Sequence, residues 1–144
     1  MQDLDFNEIV NLIRKEDGRY QRSAYNFVRE GLDKTVKAIK QADATRSRSS
    51  AHITGRELSL GLKSHALDQY GPMAKLVLGE WGIHKTSDFG EIVYNLIEYN
   101  VFSKTESDRR EHFDDVFDFD DAFVKPFAPT RRPGKVASVR GTSS

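Results

Sequence analysis

The sequence predicts a mainly α fold: a compact five-helix domain closed by a small C-terminal β-hairpin or extended segment, an outline like that of a winged helix. Three observations carry this expectation. Apolar residues recur at the ~3.6-residue helical period through most of residues 5–98. The stretches so marked open on capping boxes and stop at glycines. Only after Asn100 does the pattern pass to alternation, the period of a strand.

Asp5 followed by Glu8 is a capping box with Asp as the cap, and Phe6, Ile9, Val10 and Ile13 then share one face, predicting a first helix stopped by Gly18. From Arg19 onward, Tyr20, Ala24, Phe27, Val28, Gly31, Leu32, Thr35, Val36 and Ile39 sustain one apolar stripe, which predicts the longest helix. Arg22, Arg29, Lys34, Lys37 and Lys40 fall between stripe positions and read as its solvated face. The run ADATRSRSS breaks the pattern and reads as a loop. Thr54 and Glu57 form the box T-G-R-E of a third helix, with Leu58, Leu62, His65, Ala66 and Gln69 on one side and Gly71–Pro72 as its close. Proline suits a first helical turn, so Pro72 opens a fourth helix that buries Ala74, Val77, Leu78 and Trp81 and ends at Gly82, with Ile83 packing back. D-F-G-E at residues 88–91 repeats the cap logic of residues 5–8 and starts a fifth helix with Ile92, Val93, Leu96 and Ile97 inward. DFNEIVNLI and DFGEIVYNLI slip by one residue after the valines, a match better explained by convergent capping than by duplication. After Asn100, VFSK, the polar turn TESD, REHF and DVFDF alternate enough for one or two short strands.

Formal net charge is zero, with 22 basic and 22 acidic residues, but the charge is not evenly spread. Residues 103–124 carry 3 basic and 8 acidic side chains, whereas residues 125–144 carry 5 basic and none acidic. The latter block holds three of the four prolines and few large apolar residues, so the reading is one helical domain over residues 1–124 and a disordered basic tail over residues 125–144. With no cysteine there is no disulfide framework, no thiolate zinc site and no thiol nucleophile. No apolar run approaches the ~20 residues that span a bilayer, and MQDLDFNEIV has neither the basic nor the apolar region of a signal peptide. A cytoplasmic chain without a membrane partner is the expectation.

In a winged helix that reads DNA, the recognition helix needs cationic or amide side chains toward phosphates and bases. Here that helix bears Asp88, Glu91 and Glu98, with no Lys or Arg between Lys85 and Lys104. Such an outline pairs with protein rather than DNA.

Several runs carry a resemblance: RYQRSAYNFVREGL from Arg19, H-x-T-G-R-E-L from His52, ALDQYGPMAKLVLGEWGI from Ala66, TSDFGEIVYNLIEYNVFSKT from Thr86 and FDDVFDFDDAF from Phe113. Together they resemble a small uncharacterised bacterial family restricted to the planctomycete and verrucomicrobial lineage. The likeness covers nearly the whole chain to about Phe123 and omits the tail. It implies no activity, cofactor or partner, so it transfers no catalytic role.

The stretch FDDVFDFDDAF sets Asp114, Asp115, Asp118, Asp120 and Asp121 among Phe113, Val116, Phe117, Phe119 and Phe123. Asp118 and Asp120 have the first spacing of a calcium loop, but Ala122 is no ligand, no Gly follows and no Glu closes a twelve-residue loop, so calcium is not expected. Two readings stand: the rings pack along the chain's own domain with the carboxylates in water, or the segment meets a basic partner or the chain's own tail. His52, His65, His84 and His112 share no metal-binding spacing. His65 reads as a hydrogen-bonded core or boundary histidine, and Trp81 as core. No nucleophile elbow, phosphate loop or dinucleotide fingerprint is present, so neither catalytic nor cofactor-binding residues are assigned.

A non-enzymatic adaptor or regulatory module for another macromolecule, a protein, fits best, with residues 113–123 as its partner surface. The main alternative is an RNA or DNA accessory protein that contacts phosphate through the loop at residues 45–50 (Arg46, Arg48) and the tail (Arg131, Arg132, Lys135, Arg140), aided by Arg14, Lys15, Arg19 and Arg22. Against it, the body of the chain is acidic. An enzyme of unrecognised type is the third.

Overall fold

Asp5 begins the first helix, α1 (Phe6–Glu16), by a reciprocal exchange: its carboxylate accepts from the Glu8 amide at 3.0 Å, and the Glu8 carboxylate accepts from the Asp5 amide at 3.1 Å. Such a cap contributes about 1 kcal/mol. The computed structural model describes residues 5–42, 53–102 and 109–129. After α1 come α2 (Arg22–Ala42), α3 (Gly55–Tyr70), α4 (Ala74–Glu80), α5 (Thr86–Glu98) and a short α6 (Phe119–Phe123), with 3-10 turns at Gly71–Met73, Arg110–Phe113 and Lys125–Phe127. The mainly helical class and the five helices ahead of residue 100 match the sequence reading.

Local signals place most of the ends. The Thr54–Glu57 box closes with both bonds at 3.0 Å, and Pro72 sits in the 3-10 turn that leads into α4. Ile83 folds back as expected, fully buried, its amide donating to the Leu78 carbonyl at 2.9 Å. Gly82 makes that reversal with φ +95°, and a Cβ there would lie 2.3 Å from the Arg19 carbonyl oxygen. The α4–α5 turn is thereby pressed onto the α1–α2 turn.

Two expectations need correction. α5 starts at Thr86, so Asp88 is its third residue and not its cap; the Asp88 carboxylate still serves the helix start by accepting from the His84 and Lys85 amides at 2.9 and 3.3 Å. The second concerns the hairpin. Among the described residues there is no strand: REHF is a 3-10 turn and FDDAF is α6. Backbone groups that a strand partner would need are taken otherwise. The Thr86 hydroxyl donates to the Phe113 carbonyl at 2.5 Å and accepts from the Val116 amide at 3.2 Å, while Asp118 caps α6. Without paired strands, the described residues do not form a wing.

Residues 125–129, assigned to the tail from sequence, continue past α6 through the Lys125–Phe127 turn, with Lys125 paired to Asp121 at 2.6 Å. Most of the loop ADATRSRSS, the end of VFSK with the expected turn TESD (residues 103–108) and the tail from residue 130 lie outside the described residues.

The core forms where α2, α3 and α5 meet. Phe27 is its hub: its ring lies 5.0 Å from the His65 ring, 5.8 Å from Trp81 and 6.5 Å from Phe89. Phe89 carries the aromatic contact on to Phe119 at 6.0 Å and Phe117 at 6.4 Å. Fully burying one such ring contributes roughly 1.5–3 kcal/mol.

Candidate functional site

Phe113 anchors the acidic segment. It is buried in a seat made by two glycines, one on α3 and one on α5: a Cβ at Gly55 would come within 3.0 Å of its ring, and one at Gly90 within 2.9 Å. Past it the chain turns sharply at Asp115, where φ is +50°. Thr86 then clamps the turn to the first residues of α5. Beyond the clamp, Phe119 and Phe123 are buried with centroids 5.0 Å apart, and half-buried Phe117 stacks on Phe119 at 5.7 Å under the Lys63 ammonium.

The first sequence reading of this stretch therefore holds: the rings pack along the chain's own domain and all five aspartates are exposed. Their surroundings differ. Asp118 caps α6, accepting from the Asp120 and Asp121 amides at 2.8 and 3.1 Å. Asp120 pairs with Lys75 of α4 at 2.5 Å, and Asp121 with Lys125. Asp114 and Asp115 have no ion pair among the described residues. These two, with Asp118, line a groove of about 420 Å³ together with Phe117, Phe119, Lys85, Thr86 and Ser87. On the neighbouring elements Met73 and Leu76 of α4, and Val124 and Phe127 after α6, keep much of their apolar surface in solvent. Among the described residues no group of three or more His, Asp or Glu converges as metal ligands, and no helix is long and apolar enough to cross a membrane.

The cationic surface suggested near the α1–α2 junction is largely occupied by internal bonds. Arg14 donates to the Tyr20 carbonyl at 2.9 Å, Arg22 to Asn11 at 2.6 Å, and Arg19 pairs with Asp17 at 2.7 Å and Glu91 at 3.1 Å. Arg46, Arg48, Arg131, Arg132, Lys135 and Arg140 lie outside the described residues.

Sequence reasoning missed a polar network in the same region. The Tyr20 hydroxyl donates to Asp88 at 2.6 Å; burial, then this bond, pushes its phenol up from the ordinary value. Asn95 of α5 donates both to Asp17 and to the buried Tyr25 hydroxyl, each at 3.0 Å. The only sequence signal was the Asp17–Arg19 spacing, since the partners on α5 are some 70 residues away. The network ties the α1–α2 turn to α5.

Comparison with protein-family models, with curated proteins and with solved structures finds no match.

Proposed function

We propose that this chain is a non-enzymatic adaptor or regulatory module of the bacterial cytoplasm that binds a protein partner through the acidic groove at Asp114, Asp115 and Asp118. The observation that carries the reading is the state of Asp114 and Asp115: two carboxylates without an ion pair among the described residues, lining a groove together with Phe117 and Phe119. A basic segment with an apolar residue matches that surface in charge and in hydrophobicity. Met73, Leu76, Val124 and Phe127, outside the groove lining, are also exposed apolar side chains. Membership of the planctomycete and verrucomicrobial family belongs to the same proposal. The reading does not depend on a winged-helix outline.

Nucleic-acid binding is less well supported, because the described arginines at the α1–α2 junction are committed to Asp17, Glu91, Asn11 and a backbone carbonyl. A short labelled peptide alternating lysine and leucine, and a labelled single-stranded RNA, discriminate the two. The peptide is expected to bind the full chain in a salt-sensitive way and the RNA is not. Asp114→Asn with Asp115→Asn should weaken peptide binding by roughly three- to tenfold, the effect of two partly screened charges. RNA binding without peptide binding, or turnover of a small molecule in a metabolite screen, would refute the adaptor reading.

A further inference from the structure

His65 lies at the joint where α2 and α3 approach most closely. The approach depends on small residues: a Cβ at Gly31 would lie 2.3 Å from Leu62 Cδ2, and one at Gly61 would lie 1.9 Å from Thr35 Oγ1. Beside these contacts the imidazole is 4% exposed and stacks on Phe27 at an interplanar angle of 24°. The sequence led us to expect a hydrogen-bonded histidine here. Instead neither Nδ1 nor Nε2 has a hydrogen-bond partner among the described residues. The Glu30 carboxylate stands 3.6 Å from Nε2, outside hydrogen-bond reach, on a side chain that is mostly in solvent. The charged groups facing the ring are Glu30 and Lys34 from α2 and Asp68 from its own helix. Burial, and after it the Lys34 ammonium, hold the imidazole below the ordinary histidine value against the pull of Glu30 and Asp68.

A neutral imidazole fits this seat as a flat ring against Phe27. An imidazolium fits it less well, because burial disfavours the charge, Nδ1 has no acceptor among the described residues and the nearest carboxylate, Glu30, stands 3.6 Å from Nε2. We infer that His65 is a proton-operated latch on the α2–α3 joint: neutral, it keeps the two helices closed around Phe27, and on protonation it turns out toward Glu30 and water and lets them part. The direction follows from linkage. The folded state disfavours the charged ring, so the opened chain takes the proton first as pH falls past about 6.5. Stability from this residue is complete above that pH and is lost progressively below it. The stacked ring, the glycine contacts and the outward carboxylate make one device: a tight joint with a release position 3.6 Å away.

Amide hydrogen exchange of the full chain at about pH 7.5 and about pH 5.5, above most carboxylate titration, tests the latch. After correction for intrinsic rates, amides of residues 31–39 and 58–66 in the native chain should exchange roughly three- to tenfold faster at the lower pH, relative to those of α5. His65→Phe keeps a ring on Phe27 and cannot titrate, so it should show no such acceleration. The same acid response in His65→Phe, or none in the native chain, overturns the inference. Should His65→Phe fail to fold, an NMR titration of the His65 ring in the native chain decides. A midpoint below the ordinary value of about 6.5 sustains the latch, and one at or above it removes the latch.

Discussion

Asp17 sits in a turn, yet its carboxylate joins two ends of the chain. One oxygen accepts from the Arg19 amide and Nε at 3.1 and 2.9 Å, the other from Arg19 Nη2 at 2.7 Å and from Asn95 Nδ2 at 3.0 Å. Arg19 continues to Glu91, which also receives Arg110 at 3.0 Å, so the α1–α2 turn, α5 and the turn before the acidic segment share one network. The Arg19 hydrogen bond, foremost, holds the Asp17 carboxyl well below the usual carboxylate range. A depressed carboxylate stabilises the fold above its unfolded value of about 3.9, and that contribution is lost as pH falls through the folded value. Asp17→Asn should therefore cost about 1–3 kcal/mol near neutral pH and progressively less as pH falls toward the folded value. Urea denaturation of both chains at about pH 7 and about pH 3 checks this; an equal loss at the two pH values would show that the charge is unimportant. The Asp17–Arg19 pair is local, so its spacing was a signal the sequence offered, although the sequence reading did not single it out. Asn95 offered none, since nothing in a sequence marks which distant amide will face a turn.

At the level of elements, the capping boxes of α1 and α3 could be read directly because their chemistry lies within four residues. The same tetrapeptide pattern misled at α5. There Thr86, fully committed to the Phe113 carbonyl and the Val116 amide, draws the helix start two residues ahead of Asp88. Helix pairing shows a similar limit. Gly31 fell on the predicted stripe, but Gly61 did not announce itself as the point where α3 meets Thr35. Gly61→Ala should destabilise by about 1–3 kcal/mol through overpacking. Combining it with Thr35→Ala, which removes the atom 1.9 Å from the new Cβ but leaves another at 2.9 Å, should recover part of that loss. Thermal melts of the two single variants and the double provide the cycle, and strict additivity would sink the contact.

Across the molecule, Phe89 unites the helical core with the acidic segment, since its ring touches Phe27 on one side and Phe117 and Phe119 on the other. Its truncation should cost about 3–5 kcal/mol, a large part of the 5–15 kcal/mol that a domain of this kind possesses. Trp81 fluorescence and far-UV circular dichroism should then report one early, coincident urea transition in Phe89→Ala. Loss of the far-UV signal ahead of the Trp81 change would mean that the segment and the helical core unfold separately. The candidate site depends on the same union: residues 113–123 were recognisable as aromatic anchors with carboxylates between them, but only the fold distinguishes Asp120 and Asp121, held by lysines, from Asp114 and Asp115, which have no ion pair among the described residues.

The amino-acid sequence alone determined the helical class, two capped helix starts, the turns at Gly71–Pro72 and Gly82, and the full or partial burial of most of each stripe. All of these follow from interactions within a turn or two of the chain, where residue type and spacing settle the energetics. Among the described residues, tertiary structure alone decided that REHF and FDDAF become a turn and a short helix, that His65 is buried without hydrogen bonds, and that two aspartates line a groove. Those outcomes depend on which distant groups meet: a threonine hydroxyl that takes the backbone bonds of a would-be strand, and two glycines that admit one phenylalanine between helices.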